Sequence, residues 1–222
     1  SSIKANVLGV VFTSSDKAVN PSSTMGATKL LGERLMTAAN QHSGSHQTRF
    51  SSVRFGNVLD TNGSVLHIFR DQINNNIPLT ITSTNMTRFF ITMTQAVNLC
   101  LHASEEMIGG EIFVMSMGSC NIMSLARAVC GSSNFKYDII GQKPGEKEYE
   151  ELVTDSEAAR TVCKDNYYTI LPEMQSIMDI TIVDKYKKVY SKPKYISEPL
   201  RSDKNILTDA EVLKMIKLKN LI

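Results

Sequence analysis

Nowhere in its 222 residues does the chain carry a Gly-x-Gly-x-x-Gly or Gly-x-x-Gly-x-x-Gly turn. The usual backbone cradle for a dinucleotide pyrophosphate is therefore excluded within this sequence. Cysteines are few: Cys100, Cys120, Cys130 and Cys163 stand far apart, with no Cys-x-x-Cys pair and no histidine in ligand register. That argues against a metal or disulfide framework and predicts reduced, buried thiols in a cytoplasmic protein. His42 and His46 have helix-like spacing but lie in the loop-like run Gln41-His42-Ser43-Gly44-Ser45-His46-Gln47, so no metal is expected there. Charge of one sign is also lacking: a net charge of +2 creates no strong field, and neither nucleic acid nor an anionic membrane is implied as a partner. The one local excess, from Asp184-Lys185-Tyr186-Lys187-Lys188 to Lys192-Pro193-Lys194, reads as a solvated helix end and linker. Apolar runs are too short to span a membrane, and the N-terminus lacks the shape of a signal peptide. No internal repeat or low-complexity block occurs. With 42% hydrophobic and 21% charged residues, the composition is that of a folded globular protein.

What is present is concentrated near the N-terminus. Val10, Val11 and Phe12 form a short apolar run suited to a buried parallel strand, which delivers Thr13, Ser14, Ser15, Asp16 and Lys17 to its carboxyl end. Asn20-Pro21-Ser22-Ser23 then supplies a turn and hydroxyl caps, so a helix is predicted from Ser23 or Thr24. Met25 and Lys29, four apart, share one helical face, while Leu31, Leu35 and Ala38 define another expected to rest on the sheet. Ligands in open α/β sheets bind outside the carboxyl ends of the strands. Acid/base chemistry is thus expected at residues 15 to 17.

Further along, strands are predicted at 50–55, 78–82 and 112–117, and helices at 64–73, 94–103 and 122–129. Thr208-Asp209-Ala210-Glu211 is a capping box opening a C-terminal helix. Strands alternating with helices imply an α/β fold with a mostly parallel sheet.

Several ordered motifs carry a resemblance. Asp16-Lys17-Ala18-Val19-Asn20-Pro21 precedes Met25-Gly26-Ala27-Thr28-Lys29. There follow Val53-Arg54-Phe55-Gly56-Asn57-Val58-Leu59, Asn62-Gly63-Ser64-Val65, Met86-Thr87-Arg88-Phe89-Phe90, Gly109-Gly110-Glu111-Ile112-Phe113-Val114, and Lys143-Pro144-Gly145-Glu146-Lys147. Together they resemble the extended short-chain dehydrogenases/reductases, and within them the UDP-N-acetylhexosamine 4,6-dehydratases of the polysaccharide-biosynthesis (CapD-like) type. The superfamily usually carries Tyr-x-x-x-Lys on this helix, where this chain has Met25-x-x-x-Lys29. Methionine has no acidic proton, yet this substitution is itself a pattern of the larger dehydratases.

The resemblance implies a partial Rossmann-like parallel sheet with a smaller C-terminal α/β substrate-binding part. Residues 1–150 would form a truncated NAD(P)-binding core with interleaved substrate-binding segments, and residues 151–222 the C-terminal substrate-binding region and tail. It further implies that the family's N-terminal cofactor-binding half is missing, since Ile3 to Gly9 looks like a segment entering a helix but the catalytic strand begins at once. NAD(P) is the implied cofactor and a UDP-sugar the implied partner, with a possible homo-oligomer. The implied reaction is oxidation at C4, loss of water across C5 and C6, and hydride return. Asp16 would protonate the leaving hydroxyl and Lys17 would take the C5 proton, which asks for a raised carboxyl pKa and a lowered amine pKa. Ser15 would bond the sugar O4, with Met25 and Lys29 completing the catalytic set. Asn6, Ser14 and Lys29 would contact the cofactor. Asn57, Ser64, Val65, Arg88, Lys143 and Glu146 would hold the nucleotide part of the substrate. The alternatives are an epimerase of the same fold, or a non-catalytic remnant that binds sugar nucleotide or a partner subunit.

Overall fold

The computed structural model describes residues 1–42, 47–59, 61, 63–173 and 180–217. His46 with its loop, Asn62 and the end of the C-terminal tail lie outside the described residues. In chain order the elements are β1 (Gly9–Ser15), α1 (Thr24–Ala39), β2 (Arg49–Phe55), β3 (Asn57–Val58), α2 (Val65–Asn74), β4 (Leu79–Ile81) and β5 (Thr87–Ile91). These are followed by α3 (Met93–Glu106), β6 (Ile112–Met115), β7 (Gly118–Asn121), α4 (Ile122–Cys130), β8 (Tyr137–Ile139), β9 (Glu151–Val153) and α5 (Asp155–Ala158). The last are β10 (Thr161–Lys164), β11 (Tyr167–Ile170), α6 (Ile180–Val189), β12 (Leu200–Arg201) and α7 (Asp209–Lys217). They fall into two compact units, Ser1–Phe55 with Thr94–Ser116 and Glu151–Leu200, and Gly56–Met93 with Met117–Glu150 and Arg201–Ile222. Residue 150 is one of several points where the chain passes from one unit to the other, and residues 151–200 join the first.

The first unit is a five-stranded sheet in the order β1-β2-β6-β11-β10. β1, β2 and β6 run parallel, and the β10–β11 hairpin extends the sheet antiparallel. The expected α/β class with a parallel sheet is therefore present. β2 is buried from Phe50 through Arg54, polar positions included, because it is a central strand covered on both faces. Residues 2–6 form turns, not a helix entrance, and Asn6 is exposed with a φ of 52°.

The sheet-facing side of α1 differs from the expected one. Leu31 and Leu35 are 59% and 56% exposed, and the buried residues of the helix are Gly26 and Glu33. Gly32 lies so close to Phe12 that an added Cβ would stand 2.4 Å from its ring. The apolar stripe at 31 and 35 drew the expected face the wrong way, because the true contact side is made of glycines and a buried carboxylate. That carboxylate belongs to a cluster. Arg54 donates from Nε and Nη2 to Glu33 (3.0 and 2.7 Å), from Nη1 and Nη2 to Glu157 (3.0 and 3.1 Å), and from Nη1 to the Leu152 carbonyl (2.7 Å).

A second buried carboxylate, Glu111, shapes the loop before β6. It accepts from the Ile108 and Gly109 amides at 2.7 and 2.8 Å, and burial still pushes its pKa up. Tyr186 of α6 donates to the Gly109 carbonyl at 2.9 Å. Removing that hydroxyl leaves a buried carbonyl unpaired, so Tyr186→Phe is expected to cost about 1 kcal/mol. Urea unfolding of the two proteins side by side checks this, and an unchanged midpoint contradicts it.

The second unit holds the three-stranded sheet β3-β5-β7 and the parallel pair β4–β8. Its core gathers Leu66 and Phe69 of α2, Leu125 of α4, and Val212 and Ile216 of α7 around Phe90. The predicted capping box of α7 forms: Glu211 accepts from the Thr208 amide at 2.8 Å, and the Glu211 amide donates to Thr208 Oγ1 at 3.3 Å. Ser202 is a buried polar hub, its Oγ receiving the Glu150 amide at 2.9 Å and lying 2.9 Å from Thr87 Oγ1. Among the described residues no helix is long and apolar enough to cross a membrane, and no group of three His, Cys, Asp or Glu is placed to hold a metal.

Candidate active site

At the carboxyl end of β1 the chain turns sharply. Ser15 caps a single 3-10 turn over Asp16–Ala18, its Oγ accepting from the Lys17 amide at 3.1 Å. That leaves the Ser15 hydroxyl proton free to donate outward. Asp16 is 0% exposed, and its Oδ1 accepts from Lys17 Nζ at 2.9 Å, while the Lys17 side chain is 35% exposed. A solvated ion pair, the ordinary fate of adjacent opposite charges, does not describe this geometry.

The helix is held against that turn by an absence of side chain. Gly26, at the third position of α1, sits where an added Cβ would lie 2.2 Å from the Lys17 carbonyl oxygen. Ser23 caps the helix by accepting from the Gly26 amide at 3.2 Å, as the sequence predicts. One turn later Lys29 Nζ donates to the Thr13 carbonyl at 2.8 Å and lies 5.2 Å above the Phe12 ring. Met25 is 49% exposed and offers no proton. Asp16, Lys17 and Lys29 are thus fixed to one strand end and one helix face.

Two buried oxygens at this place have no hydrogen-bond partner: Ser14 Oγ and Asp16 Oδ2. Buried polar atoms are nearly always paired in folded proteins, so unpaired ones mark either strain or a missing polar ligand. In the second unit the same condition is met by Asn57 Oδ1 and Ser64 Oγ. Asn57 opens β3, and Ser64 precedes the first residue of α2, Val65, without making a side-chain cap. Thus both predicted sets contain unsatisfied polar atoms.

Other predicted substrate residues are already engaged. Arg88 donates to the carbonyls of Thr87, Glu148 and Lys147 at 2.7, 3.2 and 2.8 Å, so its fork is largely spent on holding segment 147–148 against β5. Glu146 closes its own turn by accepting from the Lys143 amide at 2.8 Å, and Lys143 is exposed. Asn6 lies in an exposed turn. Reading the sequence missed Gly26 as the residue that lets α1 approach the Asp16–Lys17 turn, although its place in Met25-Gly26-Ala27 was the available signal.

A parallel strand ending in a buried carboxylate, followed by a helix that returns a lysine to the strand's backbone, defines a Rossmann-like α/β fold of the short-chain dehydrogenase/reductase type. A family model described as polysaccharide biosynthesis protein matches residues 1–172, and the chain belongs to that family. Over 168 residues it is 41% identical to the UDP-N-acetylglucosamine 4,6-dehydratase (inverting) of Campylobacter jejuni, covering 75% of this chain and 50% of that protein. It is also 41% identical over 166 residues to the UDP-glucose 4-epimerase of Rickettsia bellii, covering 74% and 49%. The X-ray structure of Pen from Bacillus thuringiensis superposes with a TM-score of 0.87 at 35% identity, covering 100% of this chain and 66% of that one. The chain spans about half the length of the curated relatives it matches.

Proposed function

We propose that these residues form the catalytic-strand part of a nucleotide-sugar-modifying enzyme, a 4,6-dehydratase acting on a UDP-N-acetylhexosamine in surface-polysaccharide synthesis. The observation that carries the reading is Asp16: fully buried at a strand's carboxyl end, one oxygen bound to Lys17 and the other unpartnered. A buried acid with a free oxygen can exchange a proton with a ligand, and the Lys17 side-chain nitrogen is one hydrogen bond away.

In this reading Lys17 reacts as the neutral amine: Asp16 takes the O4 proton as C4 is oxidised and gives it from Oδ2 to the departing C6 hydroxyl, while Lys17 Nζ receives the proton from C5 and returns it to C5 when C6 is reduced. Ser15, with an Oγ lone pair fixed by the Lys17 amide, hydrogen-bonds the sugar O4 through its hydroxyl. Ser14 Oγ and Lys29 fit the nicotinamide and ribose end of NAD(P), while residues 1–222 supply no glycine-rich cradle for its pyrophosphate. Bound there, the cofactor supplies hydride transfer between C4 and C6. Ser64, with its Oγ unpaired just before α2, whose amides favour anions, is proposed to donate to the diphosphate of the UDP-sugar, and Asn57, which opens β3, to donate from its amide nitrogen.

A second reading, C4 epimerisation, is favoured by the equal identity to the Rickettsia bellii epimerase. A chimera that carries residues 1–172 in place of the matching half of the Campylobacter jejuni dehydratase separates the two. The dehydratase reading expects a 4-keto-6-deoxy sugar by NMR, and turnover reduced about 10²–10⁴-fold by Asp16→Asn. A C4 epimer as product favours the second reading, and unchanged turnover in Asp16→Asn removes the proposed acid.

A further inference from the structure

We propose that a cleft at the far edge of the first unit's sheet is a second binding site, for a phosphorylated ligand of mononucleotide size that carries a planar ring. The proposal does not rest on the dehydratase reading. The strands that line it, β6, β11 and β10, stand two to four strand spacings, about 10–19 Å, from β1 and its Asp16 turn. Its volume is about 500 Å³, within the range of roughly 300–1,000 Å³ usual for small-molecule sites.

One part of its lining is aromatic. His102 of α3 and Tyr167 of β11 stack with ring centres 3.8 Å apart and planes 14° from parallel, and Phe113 meets His102 edge-on at 5.8 Å. Burial lowers the His102 pKa, so at neutral pH the imidazole is an uncharged ring that keeps one donor and one acceptor nitrogen. Burial and the nearby Glu111 push the Tyr190 phenol up to about 12. Its hydroxyl therefore stays protonated.

The rest of the lining is basic. Lys164 ends β10, and Lys192 and Lys194 flank Pro193 on the segment that follows α6. That segment is held against β10 by an isolated antiparallel bridge: the Cys163 amide donates to the Lys194 carbonyl at 2.9 Å, and the Ile196 amide donates to the Thr161 carbonyl at 3.1 Å. Glu106 and Asp165 share the lining, yet none of the three ammonium groups forms an ion pair among the described residues. A merely solvated basic stretch would not border stacked rings in a concavity. Ammonium groups suit phosphate as point charges, and the rings offer a surface for a nucleobase.

Titrating uridine and adenosine 5′-monophosphates into the full chain, with the His102 and Tyr167 proton resonances followed by NMR, tests this directly. The expected result is movement of both signals with a Kd of about 1 mM or tighter, weakened about tenfold by the double variant Lys164→Ala, Lys194→Ala and weakened by added salt. Both lysines are exposed, so the variant keeps the fold. Inorganic phosphate or uridine binding as tightly as the monophosphates overturns the proposal, because each carries only half of the recognised chemistry. So do unmoved His102 and Tyr167 signals, or a double variant that binds as well as the parent.

Discussion

Replacing Arg54 by methionine is expected to destabilise the first unit by about 3–5 kcal/mol, the usual effect of removing one partner from a buried ion cluster. Arg54 is fully buried between two carboxylates, and each of its five donors has an acceptor. Burial alone would lower its pKa, but the hydrogen bonds and charges of Glu33 and Glu157 outweigh that and hold it above its ordinary range. Without Arg54, two carboxylates remain in a dry interior, and the Leu152 carbonyl loses its donor. The pH dependence separates charge from packing. In the parent, burial would raise the Glu157 pKa, but Arg54 and the Thr154 amide bring it below its ordinary value. A depressed folded pKa contributes stability above the unfolded value of about 4.3, and that contribution is lost as pH falls through the folded value. In Arg54→Met the sign reverses, because stranded buried carboxylates are relieved by protonation. The stability gap between parent and variant, read from urea midpoints, is thus expected to narrow from pH 7 to pH 4. A gap of constant size would mean that lost packing, not stranded charge, is the cause.

This cluster also shows where sequence reading runs out. β1, α1, β2, α2, α3 and α4 were visible in the sequence because their signals are local: apolar period, a Ser23 cap, turn residues. The buried side of α1 was not, since Glu33 looks like a surface residue until Arg54 on β2 and Glu157, 124 positions later in sequence, are brought to it. Thr154 and Glu157 form a capping box, and the same carboxylate also serves Arg54. The β10–β11 hairpin went unpredicted because Cys163 to Tyr168 alternates weakly, although Asp165, with a φ of 53°, marks the turn. At the candidate site the residue types were legible from the motif, whereas the burial that leaves Ser14 Oγ and Asp16 Oδ2 without partners depends on how neighbouring segments cover them.

The closest backbone approach in that site gives the last expected result. Gly26→Ala places a methyl group 2.2 Å from the Lys17 carbonyl oxygen and 3.1 Å from Pro21 Cβ. Ordinary carbon contacts need about 3.5 Å, so α1 must retreat from the turn by about 1 Å. Alanine improves helix propensity by about 1 kcal/mol, but overpacking against rigid backbone costs about 1–3 kcal/mol, so a net loss of stability wins. The retreat carries Lys29 with it and stretches its 2.8 Å bond to the Thr13 carbonyl. A displacement of that size at reacting groups lowers turnover about 10²-fold in the chimera described above. Gly32→Ala is the internal comparison, since its added Cβ meets the tip of the Phe12 ring, a side chain that can swing aside. Thermal melting is expected to rank parent above Gly32→Ala above Gly26→Ala. If Gly26→Ala melts with the parent and keeps its turnover, the close contact between helix and turn does not hold the Asp16–Lys17 pair in position.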